Sequence, residues 1–89
     1  MPNAVIAGYA RSPFHLAGKG GLARVRPDDL AAQVIRGLIE KTGVKAEDIE
    51  DIVLGCAFPE AEQGLNVARL IGLLADLPLS VGGMTVNRF

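Results

Sequence analysis

Cysteine and histidine are nearly absent from this chain of 89 residues, with Cys56 and His15 its single representatives of each. One thiol cannot close an internal disulfide, which points to a reducing compartment, so a cytoplasmic location is expected. One His and one Cys also fall short of the four N/S ligands of a protein zinc site, and no metal is expected. No apolar run approaches the roughly 18 residues of a membrane span. No basic stretch precedes an apolar one in the manner of a secretory signal, and residues 2–10 read as opening directly on a strand. A surplus of one charge is missing too. Nine basic and ten acidic residues, mixed along the chain, give a formal net charge of −1. That balance leaves no electrostatic footprint for nucleic acid or an anionic membrane surface. Internal repeats, low-complexity segments and interdomain linkers are also lacking.

What the chain does have is apolar surface. Apolar residues make up 49% of it, yet a chain this short buries only about 60% of the surface its unfolded form exposes. That combination favours a piece that covers its apolar faces with more chain or with a partner subunit. Ala4-Val5-Ile6-Ala7-Gly8-Tyr9 is a short continuous apolar run rich in β-formers, closed by Arg11-Ser12-Pro13. This is the pattern of a strand buried on both faces. Phe14 to Arg26, with Gly18, Gly20 and Gly21, is expected as a loop ordered around Phe14 and Leu22. Arg26-Pro27-Asp28-Asp29 opens a helix: Pro27 suits its first turn, and the two carboxylates complement the positive end of the dipole. Leu30, Ala31, Val34, Ile35, Leu38 and Ile39 recur at helical spacing as one apolar stripe, with Gln33, Arg36, Glu40 and Lys41 opposite. Gly43 is placed to stop that helix.

A connecting turn follows, with one helical turn at Ala46-Glu47-Asp48-Ile49. Asp51 to Ala57 reads as a second buried strand, Gly64 to Asp76 as a second helix ended by Leu77-Pro78, and Met84-Thr85-Val86-Asn87 as a third strand. The second helix carries Leu65, Val67, Ala68, Leu70, Ile71, Leu73 and Leu74, so it is expected to be buried on more than one side. The order strand–helix–strand–helix–strand predicts an α/β fold. Residues 1–89 form a βαβαβ unit, mainly parallel sheet with helices on its faces and right-handed crossovers. Three strands alone leave two open edges, and the second helix wants a layer these residues do not supply. The unit is therefore expected to be incomplete as a domain.

Few side chains are equipped for chemistry. Cys56 sits at an apolar strand end with no His or Lys nearby in sequence. Such a site raises a thiol pKa and leaves it inert, so Cys56 reads as packing. His15 lies in the glycine-rich loop; a pair with Cys56 would need only proximity in space, but a solvated side chain is the plainer reading. Gly18-Lys19-Gly20-Gly21 lacks the GxxxxGK[ST] spacing and no helix starts directly after it, so it is a loop and not a phosphate cradle. Asn66 and Arg69, three apart, share a helix face. They suit a substrate carboxylate or the carbonyls of neighbouring loops, and the carbonyls are the preferred partners. No catalytic, cofactor-binding or metal-binding residue is assigned within the chain.

Three ordered motifs carry a resemblance. AVIAGYARSPFHLAGKGGLARVRPDDLAAQVI resembles the opening "R-T-P-F-G…G-G-L…L" of the thiolase family, the CoA-dependent acyltransferases. EDIEDIVLGCAFPEAEQGLNVAR is similar to its "VDDVILGxV…xGQNxAR", and LPLSVGGMTVNRF to its "LPxxVPAxTVNRxC". Ser12 stands where Thr is common, and Leu65 where Gln is common before Asn66. The resemblance implies that the chain is the N-terminal part of a thiolase N-terminal domain, truncated at Phe89. It places the nucleophilic Cys directly after Phe89, where a strand meets a buried helix N-terminus that favours thiolate. Cys56, on the earlier strand, is not that nucleophile.

For the complete protein the resemblance implies a two-step acyl transfer. The nucleophile takes an acyl group from acyl-CoA as a thioester, a second Cys acts as base on acetyl-CoA, and a His and an Asn-bound water stabilise the charge that develops. All these groups lie beyond the sequence, so the chain alone is expected to be inactive. Coenzyme A thioesters enter as substrates and no cofactor is expected. The subunit implied is several times longer, belongs to fatty acid metabolism, and is a homo-oligomer, dimer or tetramer. Its contacts centre on residues 57–70 and the third strand. Two other readings stay open: a thiolase-like condensing enzyme with different downstream chemistry, and a non-enzymatic small α/β remnant or interaction module.

Overall fold

Helix α1 (Pro27–Thr42) begins and ends where its own residues dictate. In the computed structural model, which describes residues 3–89, Pro27 opens the first turn beside Asp28 and Asp29. The other end stops at Gly43, whose φ of 73° is left-handed and whose N–H donates to the Ile39 carbonyl at 2.9 Å. Glycine takes that conformation without the Cβ clash other residues suffer. Asp28 is buried and heavily bonded. Its Oδ1 accepts from the Asp29 N–H (2.8 Å) and Arg26 Nε (3.1 Å), and its Oδ2 from Arg26 Nη2 (3.0 Å).

The apolar stripe of α1 divides between two neighbours. Ala32, which the stripe expectation leaves out, is the deepest apolar residue of the helix at 4% exposure. Together with Ala31, Ile35 and Ile39 it packs into the core. Leu30 and Val34 instead line a depression with residues 10–13, and Leu38 one with Gly8. A helix with a long polypeptide segment on one flank and a second helix on the other needs an apolar arc wider than one stripe.

Two strands, β1 (Asp51–Gly55) and β2 (Gly82–Val86), pair in parallel, with Asp51 opposite Gly82 and Gly55 opposite Val86. The ladder is extended at both ends by Gly82 N–H to the Glu50 carbonyl (3.1 Å) and Cys56 N–H to the Val86 carbonyl (2.9 Å). Ile52, Leu54, Gly83 and Thr85 are half-buried, while Val53, Met84 and Val86 on the other face are exposed. Between the strands runs α2 (Val67–Leu74), lying so close to β2 that a Cβ on Gly83 would come within 2.6 Å of Arg69 N and 2.7 Å of Arg69 Cα. Only glycine permits that approach. The core is Ala32, Val67, Ile71, Ala75, Leu77 and Val81.

The α/β class and the parallel sheet stand as expected, and several elements differ from the sequence reading. Ala4–Tyr9, expected as a strand, lies outside the sheet, and Pro2 of the 2–10 stretch falls outside the described residues. A strand needs a partner edge for its N–H and C=O groups, and this segment is held on α1 instead. Lys41 Nζ donates to the Tyr9 carbonyl at 3.1 Å and stands 4.5 Å from the centre of its ring. The helical turn expected at 46–49 is a 3-10 turn, Ala46–Asp48. In the glycine-rich loop Leu22 is half-buried, but Phe14 is 93% exposed and orders nothing. Tight turns hold the loop, with Gly20 N–H on the Leu16 carbonyl (2.7 Å) and Ala23 N–H on that of Gly20 (3.1 Å).

Helix α2 is shorter than the expected Gly64–Asp76. Leu65 and Asn66 both adopt φ of 56°, which breaks the helix before Val67; a 3-10 turn, Ala61–Gln63, precedes them. At its other end Asp76 is left-handed (φ 58°), with Asp76 N–H on Leu73 O (3.1 Å) and Leu77 N–H on Gly72 O (3.0 Å). This pair of bonds is a Schellman closure. Arg36 of α1 donates to the Leu74 carbonyl and to Asp76 Oδ2 (3.2 Å), tying the two helices together. Within the chain α2 buries one side only: Val67, Ala68, Ile71 and Gly72 are covered, while Leu73 and Leu74 stay exposed.

Candidate functional site

In open α/β sheets, ligands collect beyond the carboxyl ends of the strands. Here that end is formed by Gly55–Phe58 after β1 and by Val86–Phe89 at the close of β2. Beside it lies a depression of about 430 Å³ lined by Pro59, Asn66, Gly83, Met84, Thr85 and Asn87.

Two sets of side-chain bonds shape this end. In the first, the Thr85 hydroxyl accepts from the Ala68 N–H (3.1 Å), an otherwise unpaired donor in the first turn of α2, and donates to Asn66 Oδ1 (2.8 Å). Asn66 Nδ2 then donates to the Gly83 carbonyl (2.9 Å). The helix is thus capped from the strand, since Asn66, at the N-cap position, makes no side-chain cap of its own. In the second set, Asn87 Nδ2 donates to the Ala57 carbonyl (3.2 Å) while its Oδ1 accepts from the Phe89 N–H (2.9 Å). The rings of Phe58 and Phe89 meet at 5.0 Å and 50°.

The candidate residues from sequence fall into place around this framework. Asn66 and Arg69 both serve carbonyls: Arg69 Nη1 takes that of Val81 (2.6 Å) and Nη2 that of Leu79 (3.3 Å). Both guanidinium arms are therefore turned to the turn leading into β2. Cys56 is half-buried against the core, and its Sγ accepts weakly from Gln63 Nε2 at 3.5 Å. The same Gln63 amide donates to the Phe58 carbonyl (2.9 Å). His15 is exposed and lies over its own turn against Gly21, and no hydrogen bond joins it to Cys56 among the described residues. Gly18 to Gly21 lies in the tight turns and precedes α1 by several residues. Thr85 and Asn87 are the side chains of this framework that the sequence reading leaves out. Their signal is two polar residues at the end of an otherwise apolar strand that starts with a Gly pair. What the assembled site does chemically is fix backbone: each of these side chains holds a main-chain group of a neighbouring element.

Comparison with known proteins agrees with this geometry. Residues 4–89 match the family model described as "Thiolase, N-terminal domain". The chain is 52% identical over its full length to a 3-ketoacyl-CoA thiolase of Bacillus subtilis, covering 23% of that protein. It is 43% identical over 84 residues, 94% of the chain, to a 3-ketoacyl-CoA thiolase of Psychrobacter arcticus, covering 22% of it. Among solved structures it superposes on the acetyl-CoA acetyltransferase of Bacillus anthracis with a TM-score of 0.86 and 32% identity, over 94% of this chain and 21% of that one. The chain thus spans less than a quarter of the length of the curated relatives it matches, and its α/β arrangement is part of a thiolase fold.

Proposed function

The chain belongs to the thiolase N-terminal domain family, and from that premise we propose that residues 1–89 are the opening segment of a thiolase subunit. The reaction proposed for that subunit is reversible thiolysis and Claisen condensation of acyl-CoA and acetyl-CoA through a Cys thioester. The observation that carries this reading is the match of residues 4–89 to the family model, backed by 52% identity to a 3-ketoacyl-CoA thiolase.

In the thiolysis direction a thiolate attacks the 3-keto carbon, and the C2–C3 bond breaks with its electron pair leaving on acetyl-CoA, which takes a proton from the second thiol. The thiol of free CoA then gives its proton to the second thiolate and its sulfur takes the acyl group, breaking the enzyme thioester and releasing the nucleophilic thiolate. The nucleophile is proposed to follow Phe89, so the role of this chain is to build and hold the strand that delivers it. Asn66, Thr85, Arg69 and Asn87 do this by binding β2 and its flanks. CoA thioesters are the substrates proposed, with no separate cofactor, and the setting proposed is cytoplasmic fatty acid metabolism. No helix among the described residues is long and apolar enough to cross a membrane. A homo-oligomer is proposed from the exposed apolar residues at 57–70 and on β2, chiefly Phe58, Leu65 and Met84.

The test compares residues 1–89 alone with a complete subunit, in which these residues run on into the remainder of a thiolase chain, by thiolysis of acetoacetyl-CoA. Turnover is expected from the complete subunit and none from the 89 residues. Turnover by the short chain, or a folded complete subunit without it, overturns the proposal.

A further inference from the structure

We propose that Asn87 is a positioning residue, whose carboxamide sets the direction in which the main chain leaves β2 toward the reacting thiol. The inference rests on the reading that this thiol follows Phe89.

The ladder between β1 and β2 makes its last rung from Cys56 N–H to the Val86 carbonyl (2.9 Å). One residue further along each strand the backbone loses this pairing. Asn87 replaces the next rung with one side chain: its Nδ2 takes the Ala57 carbonyl on the β1 side (3.2 Å), and its Oδ1 takes the Phe89 N–H on its own side (2.9 Å). The second bond closes an Asx turn from Asn87 to Phe89, immediately after β2. The first ties that turn to the chain just beyond β1. A further tie, the Phe58–Phe89 ring pair at 5.0 Å, spans the same gap.

Asn87 is exposed and adds nothing to the core. The Asn66–Thr85 network already docks β2 on α2. What Asn87 adds is orientation of three residues at the carboxyl end of the sheet, where such folds place their chemistry. A reacting group misplaced by about 1 Å can lose about a hundredfold in rate, so two directed bonds at this exit matter more for turnover than for stability.

The test is Asn87→Ala in the complete subunit, with Asn87→Ser as the second variant, because a hydroxyl can still accept the Phe89 N–H in an analogous turn. Expected for Asn87→Ala is a kcat lower by about tenfold or more, a KM for acyl-CoA little changed, a melting temperature close to wild type, and a shifted pH profile of thiol alkylation by iodoacetamide. Asn87→Ser should recover part of kcat and of the profile. The inference is overturned if Asn87→Ala keeps both kcat and the alkylation profile, or if its kcat falls only in step with lost folded protein. A folded wild-type subunit that fails to cleave 3-ketoacyl-CoA overturns the underlying reading and this inference with it. An active wild type with an indifferent Asn87 overturns this inference alone.

Discussion

Asp28 shows how one side chain can tie the start of a helix to the rest of the fold. Its carboxylate is buried, and the hydrogen bonds from Arg26 hold its pKa below the usual carboxylate value. Burial pushes the other way and is outweighed, and the Asp29 N–H adds to the lowering. Arg26 in turn reaches Glu62 at 3.7 Å, so the start of α1 is linked to the turn before α2. A carboxyl whose pKa is lower folded than unfolded stabilises the fold above the unfolded value of about 3.9 and loses that contribution as pH falls through the folded value. Asp28→Asn keeps the shape and removes the charge. In the complete subunit the variant should be less stable than wild type at neutral pH, with the gap in urea midpoint closing as the pH drops below about 4. A gap of constant size down to acid pH would show that the charge is not its source.

The Thr85 hydroxyl of strand β2 caps the first turn of helix α2, and the element scale is where sequence legibility divides. Thr85→Val preserves shape and strands two groups, the buried Ala68 N–H and Asn66 Oδ1. The expected cost is about 1–3 kcal/mol, read as a lower denaturation midpoint in the complete subunit, with Thr85→Ser close to wild type; equal losses from both would point to the methyl packing instead. This cap was invisible in sequence because its partners lie 17 and 19 residues apart. The same distance hides where α2 starts, since Leu65 and Asn66 are left-handed in a loop whose Asn66 is bound to Gly83. The end signals of helix α1, by contrast, are legible, because Pro27, the two Asp residues and Gly43 act within a turn of their own positions. The loop-carbonyl partners of Arg69 follow the expectation, since a turn packed beside a helix must satisfy its C=O groups somewhere, whereas Asn66 bonds a strand carbonyl, that of Gly83. For Ala4–Tyr9 the apolar pattern is readable, but whether such a run pairs with a sheet edge or lies on a helix is decided by tertiary contacts that no local pattern encodes.

As a whole the chain is one layer of helices on one face of a two-stranded sheet. Parallel sheets are ordinarily covered on both faces, yet here Val53 (61% exposed), Met84 and Val86 form an uncovered apolar face. Leu65 is 91% exposed in a left-handed conformation that costs a non-glycine residue roughly 1–2 kcal/mol. The radius of gyration, 13.9 Å with a long axis of 46 Å, exceeds the roughly 12 Å of a compact chain of this length. Such a surface should be quenched by further layers or a partner, and left alone it should bind apolar probes and weaken cooperativity. Residues 1–89 in isolation are therefore expected to enhance the fluorescence of a hydrophobic dye and to unfold over a broad range without a sharp transition. Within the complete subunit both signs should vanish. A sharp, cooperative melt of the short chain with no dye binding would instead favour a self-sufficient α/β module, because only a fold that has satisfied its own apolar faces loses them all at once.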